Sequence, residues 1–154
     1  KHIDRTIPDF SEKIKVVKIL ETVEKELGLK LSVKNINCYW NVGVQNTRGL
    51  HADNHTKDQY KAFIYLTDVL DDLDGPYCYV QNSYKVSLTR YKCVIFNYFN
   101  SRPLTDYSTQ DFEVKMLKAK ASKGTLIISN QNGAHRGWPQ GENNKRALIS
   151  INLI

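Results

Sequence analysis

In the segment PDFSEKIKVVKILETVEKELG, apolar residues fall at Phe10, Ile14, Val17, Leu20, Val23 and Leu27, three or four apart. That spacing draws one apolar stripe along a helix. Asp9 or Ser11 is placed to cap its start, and Gly28 stands where a C-terminal glycine belongs. After Gly28 the pattern changes to short runs rich in Val, Ile, Tyr, Phe and Thr, the composition of strands. These runs predict strands near 31–45, 49–54, 60–69, 77–81, 85–88, 92–99, 112–119, 124–129 and 146–153. Turn signals separate them at Asp74-Gly75-Pro76, Asn100-Ser101-Arg102-Pro103, Lys123-Gly124 and 130–133. One helix followed by many short strands predicts a mainly β protein, a sandwich or double-sheet jelly roll, with the N-terminal helix covering one sheet face.

Composition narrows this to one globular domain over 1–154, with 41% hydrophobic and 25% charged residues. No apolar run approaches the roughly 18 residues of a membrane span, and no signal-peptide pattern is visible. The start at Lys1 leaves open that residues precede it. Cys38, Cys78 and Cys93 are odd in number and far apart, which argues against a zinc knuckle or a disulfide framework. Free thiols fit a reducing compartment, so a cytoplasmic location is expected. The net charge is +6, with lysines densest over 115–123. No helix-turn-helix, zinc-finger or RNP-like pattern accompanies it, so a small molecule is expected as partner rather than nucleic acid. The basic balance tilts that expectation toward an acidic or phosphorylated one.

Chemistry concentrates in GLHADNHTKD, residues 49–58. In an extended chain His51, Asp53 and His55 share one side. His51 and Asp53 supply two metal ligands from one segment, and a third must come from elsewhere. His2 is terminal and a poor candidate, whereas His135 follows the strand signal GTLIIS and the loop NQNGA. Two histidines and one carboxylate leave three positions open on a metal, as iron(II) sites require. Both imidazoles must be neutral to ligate, so activity is expected to fall below about pH 6. Arg146 opens RALISINLI among apolar neighbours, and a buried guanidinium needs an anion, for which a planar carboxylate is the natural partner. Lys145 should face the other way, and Arg136 should point away from a metal at His135. Asp71, Asp72 and Asp74 lack the ligand spacing of a calcium loop and predict a solvated turn.

Together, His51-Ala52-Asp53, the stretch DGPYCYVQNSYK at 74–85, His135, and Arg146 eleven residues further on resemble the phytanoyl-CoA dioxygenase-like branch of the Fe(II)/2-oxoglutarate oxygenases. That family carries an HxD pair, a GxLxxxPGSHK-like turn, a distal histidine and an arginine eleven residues beyond it. Here the turn reads Gln81-Asn82-Ser83-Tyr84-Lys85, without its glycine and histidine, and the resemblance covers roughly 36–154. It implies a double-stranded β-helix, Fe(II) held by His51, Asp53 and His135, 2-oxoglutarate paired through its distal carboxylate with Arg146, and O2 as co-substrate. Asp53 favours hydroxylation or another oxidation of a C–H bond over halogenation, since related halogenases put a small residue there. Phe63 matches an aromatic near the co-substrate; if it faces inward, so do Lys61 and Tyr65, and Tyr39 is placed to donate a hydrogen bond to 2-oxoglutarate. His55 is expected at the pocket mouth and Trp138 at its wall, both toward substrate. Two other readings remain: a non-catalytic jelly-roll binding protein with a vestigial metal site, and a cupin-type metalloenzyme that does not use 2-oxoglutarate.

Overall fold

The computed structural model describes residues 9–54, 59–108 and 116–154. His2, His55 and the first part of the strand expected at 112–119 lie outside the described residues.

The N-terminal helix forms in two pieces, α1 (Phe10–Lys13) and α2 (Val16–Leu27). Lys15 breaks it by adopting a left-handed conformation, φ 52° and ψ 48°. The break shifts the buried stripe by one residue: Val16 and Val23 are buried, whereas Val17, expected inside, is 69% exposed. Gly28 closes α2 at φ 66°, its N–H bonded to the Glu24 carbonyl, a left-handed cap that glycine adopts without a Cβ penalty.

Among the described residues seven strands follow: β1 (Val33–Val42), β2 (Tyr60–Tyr65), β3 (Tyr77–Val80), β4 (Met116–Ala119), β5 (Leu126–Asn130), β6 (His135–Gly137) and β7 (Lys145–Leu153). They form a four-stranded sheet in the order β1-β7-β2-β5 and a three-stranded sheet in the order β4-β3-β6. Every pairing is antiparallel. Phe63, Tyr65, Val69 and Leu148 share a core cluster with Tyr77 and are joined by Tyr79, which brings the two sheets face to face.

Three of the expected strands are corrected. Residues 85–88 and 92–99 form no strand; most of this stretch is a helix, α3 (Leu88–Phe99). Its Val, Ile, Tyr and Phe content reads as strand, but tertiary context decides. Ser87 caps the helix by accepting from the Arg90 N–H, and Cys93 and Asn97, four apart, are its buried positions. Leu88 and Phe99, 79% and 78% exposed, lie on its open side. The segment expected as a strand at 49–54 makes only isolated bridges, His51 to Asp106 and His51 to His135. The strands expected at 31–45 and 60–69 are shorter, as β1 and β2.

Strand alternation gives the four-stranded sheet two unlike faces. Ile36, Ala62, Ile149, Ile151 and Leu153 share one core cluster with Val16 and Val23 of α2. The intervening residues Lys61, Phe63, Arg146, Leu148 and Ser150 turn to the other side and line a cavity. β7 is buried on both faces beyond Lys145, yet its cavity side carries Arg146, Ser150 and Asn152.

Candidate metal centre

His51 and His135 meet because their backbones pair. The His51 N–H donates to the His135 carbonyl at 3.1 Å and the His135 N–H returns to the His51 carbonyl at 2.8 Å. Such a reciprocal pair sets side chains side by side, and the two rings lie 4.5 Å apart between centroids. The pairing runs on through Asp53, whose N–H donates to the Gln131 carbonyl at 3.0 Å. Residues remote in sequence thereby converge, and one ligand atom each from His51, Asp53 and His135 lies within 4.8 Å of the others.

Both rings are oriented by the same local device. His51 Nδ1 lies 2.7 Å from the Gly49 carbonyl, and His135 Nδ1 lies 2.9 Å from the Gly133 carbonyl. A carbonyl only accepts, so each Nδ1 carries the proton and each Nε2 presents its lone pair inward, the tautomer a metal requires. The repeat is visible as Gly-Leu-His and Gly-Ala-His at 49–51 and 133–135, a signal that reading for HxD alone passes over. Glycine is needed at 133: a Cβ there would lie 2.0 Å from the Tyr79 hydroxyl.

Asp53 divides its two oxygens. Oδ1 is 3.7 Å from Nε2 of both His51 and His135, whereas Oδ2 accepts from Lys61 Nζ at 2.5 Å. Burial alone would raise the Asp53 carboxyl, but the nearby His135 ring and the hydrogen-bonded Lys61 ammonium outweigh it and hold the group well below the usual carboxylate range. Burial, reinforced by the neighbouring His135 and Arg48, lowers His51 to about 4. The cluster therefore offers His51 as a neutral imidazole and Asp53 as a carboxylate at neutral pH, the protonation states a divalent cation binds. The donor set of two nitrogens and one oxygen fits iron or a similar transition metal better than calcium or magnesium. The acid limb expected below about pH 6 moves downward for His51 accordingly.

The cluster opens into a cavity of about 450 Å³. Arg146, 8% exposed, reaches this cavity from β7. Its Nε is buried without a hydrogen-bond partner, and burial lowers its pKa. A guanidinium in this condition calls for an anion. Gln131, fully buried, also has an unpartnered Oε1 and lines the same cavity. Lys145 is exposed on the other side of the strand, as alternation requires.

Tyr39 and Phe63 line the cavity with Arg146 and the two histidines. Tyr65 shares their face but lies deeper and is not among the cavity-lining residues. Its hydroxyl donates to the Ala119 carbonyl at 2.9 Å and accepts from the Tyr77 N–H at 3.0 Å, so it ties the two sheets together. Trp138 also stands outside the lining, under Lys118 Nζ at 3.7 Å from its ring centroid. Arg136 reaches the cavity lining as well, and its Nη2 donates to Thr47 Oγ1 at 2.8 Å.

Two supports behind the histidines are illegible in the sequence. The turn at 81–85 places Ser83 Oγ to accept from the Ala134 N–H at 2.7 Å, beside His135. Helix α3 fixes the backbone facing His51: Asn97 Nδ2 donates to the Asp106 carbonyl at 2.6 Å, and Arg102 forks onto the Asp106 carboxylate at 3.2 and 2.7 Å.

Fold and site thus define a two-sheet antiparallel β protein with two histidines and a carboxylate at the mouth of its interior. Among solved structures, HygX from Streptomyces hygroscopicus, crystallised with nickel and 2-oxoglutarate bound, shares this fold, with a TM-score of 0.71 and 17% identity over 97% of this chain and 68% of HygX. AviO1 from Streptomyces viridochromogenes Tue57 follows with a TM-score of 0.64 and 12% identity, over 88% of this chain and 56% of its own. ThoJ, a non-heme monooxygenase solved as a nickel complex, has a TM-score of 0.59 and 17% identity, over 88% of this chain and 49% of its own. No family model matches the sequence, and no curated protein matches it.

Proposed function

We propose that this chain is a non-haem iron, 2-oxoglutarate-dependent oxygenase that oxidises a C–H bond of a small molecule. The observation that carries this reading is that His51 and His135, clustered with Asp53, line one cavity with the buried Arg146, whose Nε has no hydrogen-bond partner. A metal site alone fits many reactions. A metal site sharing its cavity with an isolated cation fits a co-substrate with a metal-chelating end and an anionic end. The metal and 2-oxoglutarate bound in HygX, and the hygromycin B bound in another of its crystals, support the same reading. The order HxD, turn, histidine, arginine supports placement near the phytanoyl-CoA dioxygenase-like branch.

His51 and His135 would hold Fe(II) through Nε2 and Asp53 through Oδ1. Bound there, iron with 2-oxoglutarate and O2 supplies the oxidising power: one oxygen atom enters the substrate C–H bond, the other enters succinate, and CO2 leaves. The protein's own part is placement and shielding. Arg146 anchors the distal carboxylate, and burial strengthens that pairing by excluding water. Phe63 and Leu148 give the cavity an apolar wall, and Tyr39, 44% exposed, stands toward its opening. The carbonyls of Gly49 and Gly133 keep both imidazoles in the ligating tautomer.

An anaerobic titration tests this without a known substrate. Fe(II) followed by 2-oxoglutarate should produce a weak visible charge-transfer band that neither gives alone. A protein that binds Fe(II) and never develops the band would be a metalloprotein of another kind, and one that binds neither would be a binding protein with a vestigial site. No helix among the described residues is long and apolar enough to cross a membrane, and the three cysteines are free thiols. A reducing compartment such as the cytoplasm belongs to the same proposal.

A further inference from the structure

We infer that Lys61 is a positioning residue that holds Asp53 to one-oxygen ligation and so keeps the metal's remaining positions open. The inference rests on the reading of His51, Asp53 and His135 as a metal site.

Lys61 lies on the cavity face of β2, two residues before Phe63 and opposite Asn152 and Ser129 in the neighbouring strands. Its Nζ ends 2.5 Å from Asp53 Oδ2, while Oδ1 turns toward both imidazoles at 3.7 Å. The lysine reaches Asp53 from β2, eight residues further along the chain. Only 21% of its side chain is exposed, and partial burial of an ammonium calls for a partner. Among the described residues, Asp53 is its one ion-pair partner.

The division of the carboxylate matters for coordination chemistry. An ionised carboxylate offers acceptor sites on both oxygens and binds metals through one or both. Two histidines and one carboxylate oxygen leave three of six positions for small ligands. Two carboxylate oxygens would leave only two, fewer than a chelating co-substrate and a further ligand need together. A strong charged donor on Oδ2 resists that second bond. The ammonium also repels a divalent cation, so this arrangement weakens metal binding while preserving the positions; a site built only for tight binding would omit it. HxD gives no hint of Lys61, because the contact depends on how β2 packs beside the 51–53 segment.

The test uses the Mn(II)-loaded full chain and reads bound water through the relaxation of solvent protons. Lys61→Met should lose about one third of the inner-sphere contribution, three exchangeable positions becoming two, while Lys61→Arg, which keeps the charge and the donors, should retain the wild-type value. Lys61→Gln, one bond shorter than lysine, should match the Met variant, and circular dichroism checks that each variant is folded. Wild-type relaxation in both the Met and Gln variants would overturn the inference while leaving the metal site standing. A wild-type chain that never binds Mn(II) would overturn the metal site and the inference together. The readout needs neither 2-oxoglutarate nor turnover, so an error about the co-substrate does not touch it.

Discussion

The two faces of β7 are buried alike and built from opposite chemistry. Toward α2 the strand sets Ala147, Ile149, Ile151 and Leu153; toward the cavity it sets Arg146, Leu148, Ser150 and Asn152, all within 8% exposure. The first face behaves as a hydrophobic core, where apolar area removed from water stabilises the fold. The second gains little from burying polar groups, and the Arg146 guanidinium is an outright cost. A chain tolerates such a cost where the cavity has a use for it, as functional sites often depart from the rules that stabilise a fold. The contrast teaches that exposure alone does not separate core from site; partner satisfaction does. The aliphatic face leaves no polar side-chain atom unpaired, whereas the cavity holds the orphaned Nε of Arg146 and Oε1 of Gln131.

Replacing Arg146 by Met probes the cavity face most sharply. The variant should bind 2-oxoglutarate more weakly by about 3–5 kcal/mol, a loss of more than a hundredfold, because the ligand carboxylate enters a buried site without its counter-charge. Thermal stability should stay level or rise, since an unpaired buried cation is removed. Calorimetric titration of the metal-loaded protein and a melting curve measure the two halves. Unchanged 2-oxoglutarate affinity would assign the guanidinium some other anion.

The converse change belongs to the other face. Ile151, 1% exposed, packs in the cluster shared with α2, and Ile151→Ala should cost about 2–4 kcal/mol of stability through lost transfer energy and the cavity left behind. At temperatures where the variant is folded, its metal and 2-oxoglutarate affinities should match the wild type. Urea unfolding followed by titration of the folded variant checks both. Weakened 2-oxoglutarate binding in a fully folded Ile151→Ala protein would show that the two faces are not independent.

Much of this contrast was legible in the sequence, and the limits have physical causes. Alternation in RALISINLI marks Arg146 and Ser150 as one face, and the antiparallel pairing of 51 with 135 brings His51, Asp53 and His135, singled out by their positions in the sequence, into one cluster. Helix α3 is not legible because Tyr, Val, Ile and Phe favour strands in general, and only the packing of Cys93 and Asn97 against the Asp106 carbonyl makes a helix the better solution here. The break at Lys15 escaped because a single left-handed residue leaves the 3.6-residue pattern almost intact on either side. Lys61 and Ser83 act across strands and turns, and contacts of that kind depend on register, which no local pattern encodes.

The smallest effect sharpens the comparison through pH. In the folded, metal-free protein burial lowers His51 from 6.5 to about 4. The unfolded chain therefore takes up this proton first as acid is added, and stability falls between pH 6.5 and about 4. Asp53, also depressed, extends the loss: its contribution is complete above the ordinary 3.8 and disappears as pH falls through the lowered folded value. Allowing for a ring partly open to the cavity, the His51 limb should amount to about 1–3 kcal/mol. His51→Gln should remove that limb. Ile151→Ala should instead lower the whole curve by a constant amount, because no proton is linked to an aliphatic core. Denaturant unfolding of the three metal-free proteins between pH 7 and pH 4 separates the cases, since the difference between wild type and His51→Gln isolates the His51 limb from the depressed carboxylates elsewhere. Parallel curves for wild type and His51→Gln would show that protonation of His51 is not coupled to folding, and would remove the electrostatic half of the contrast.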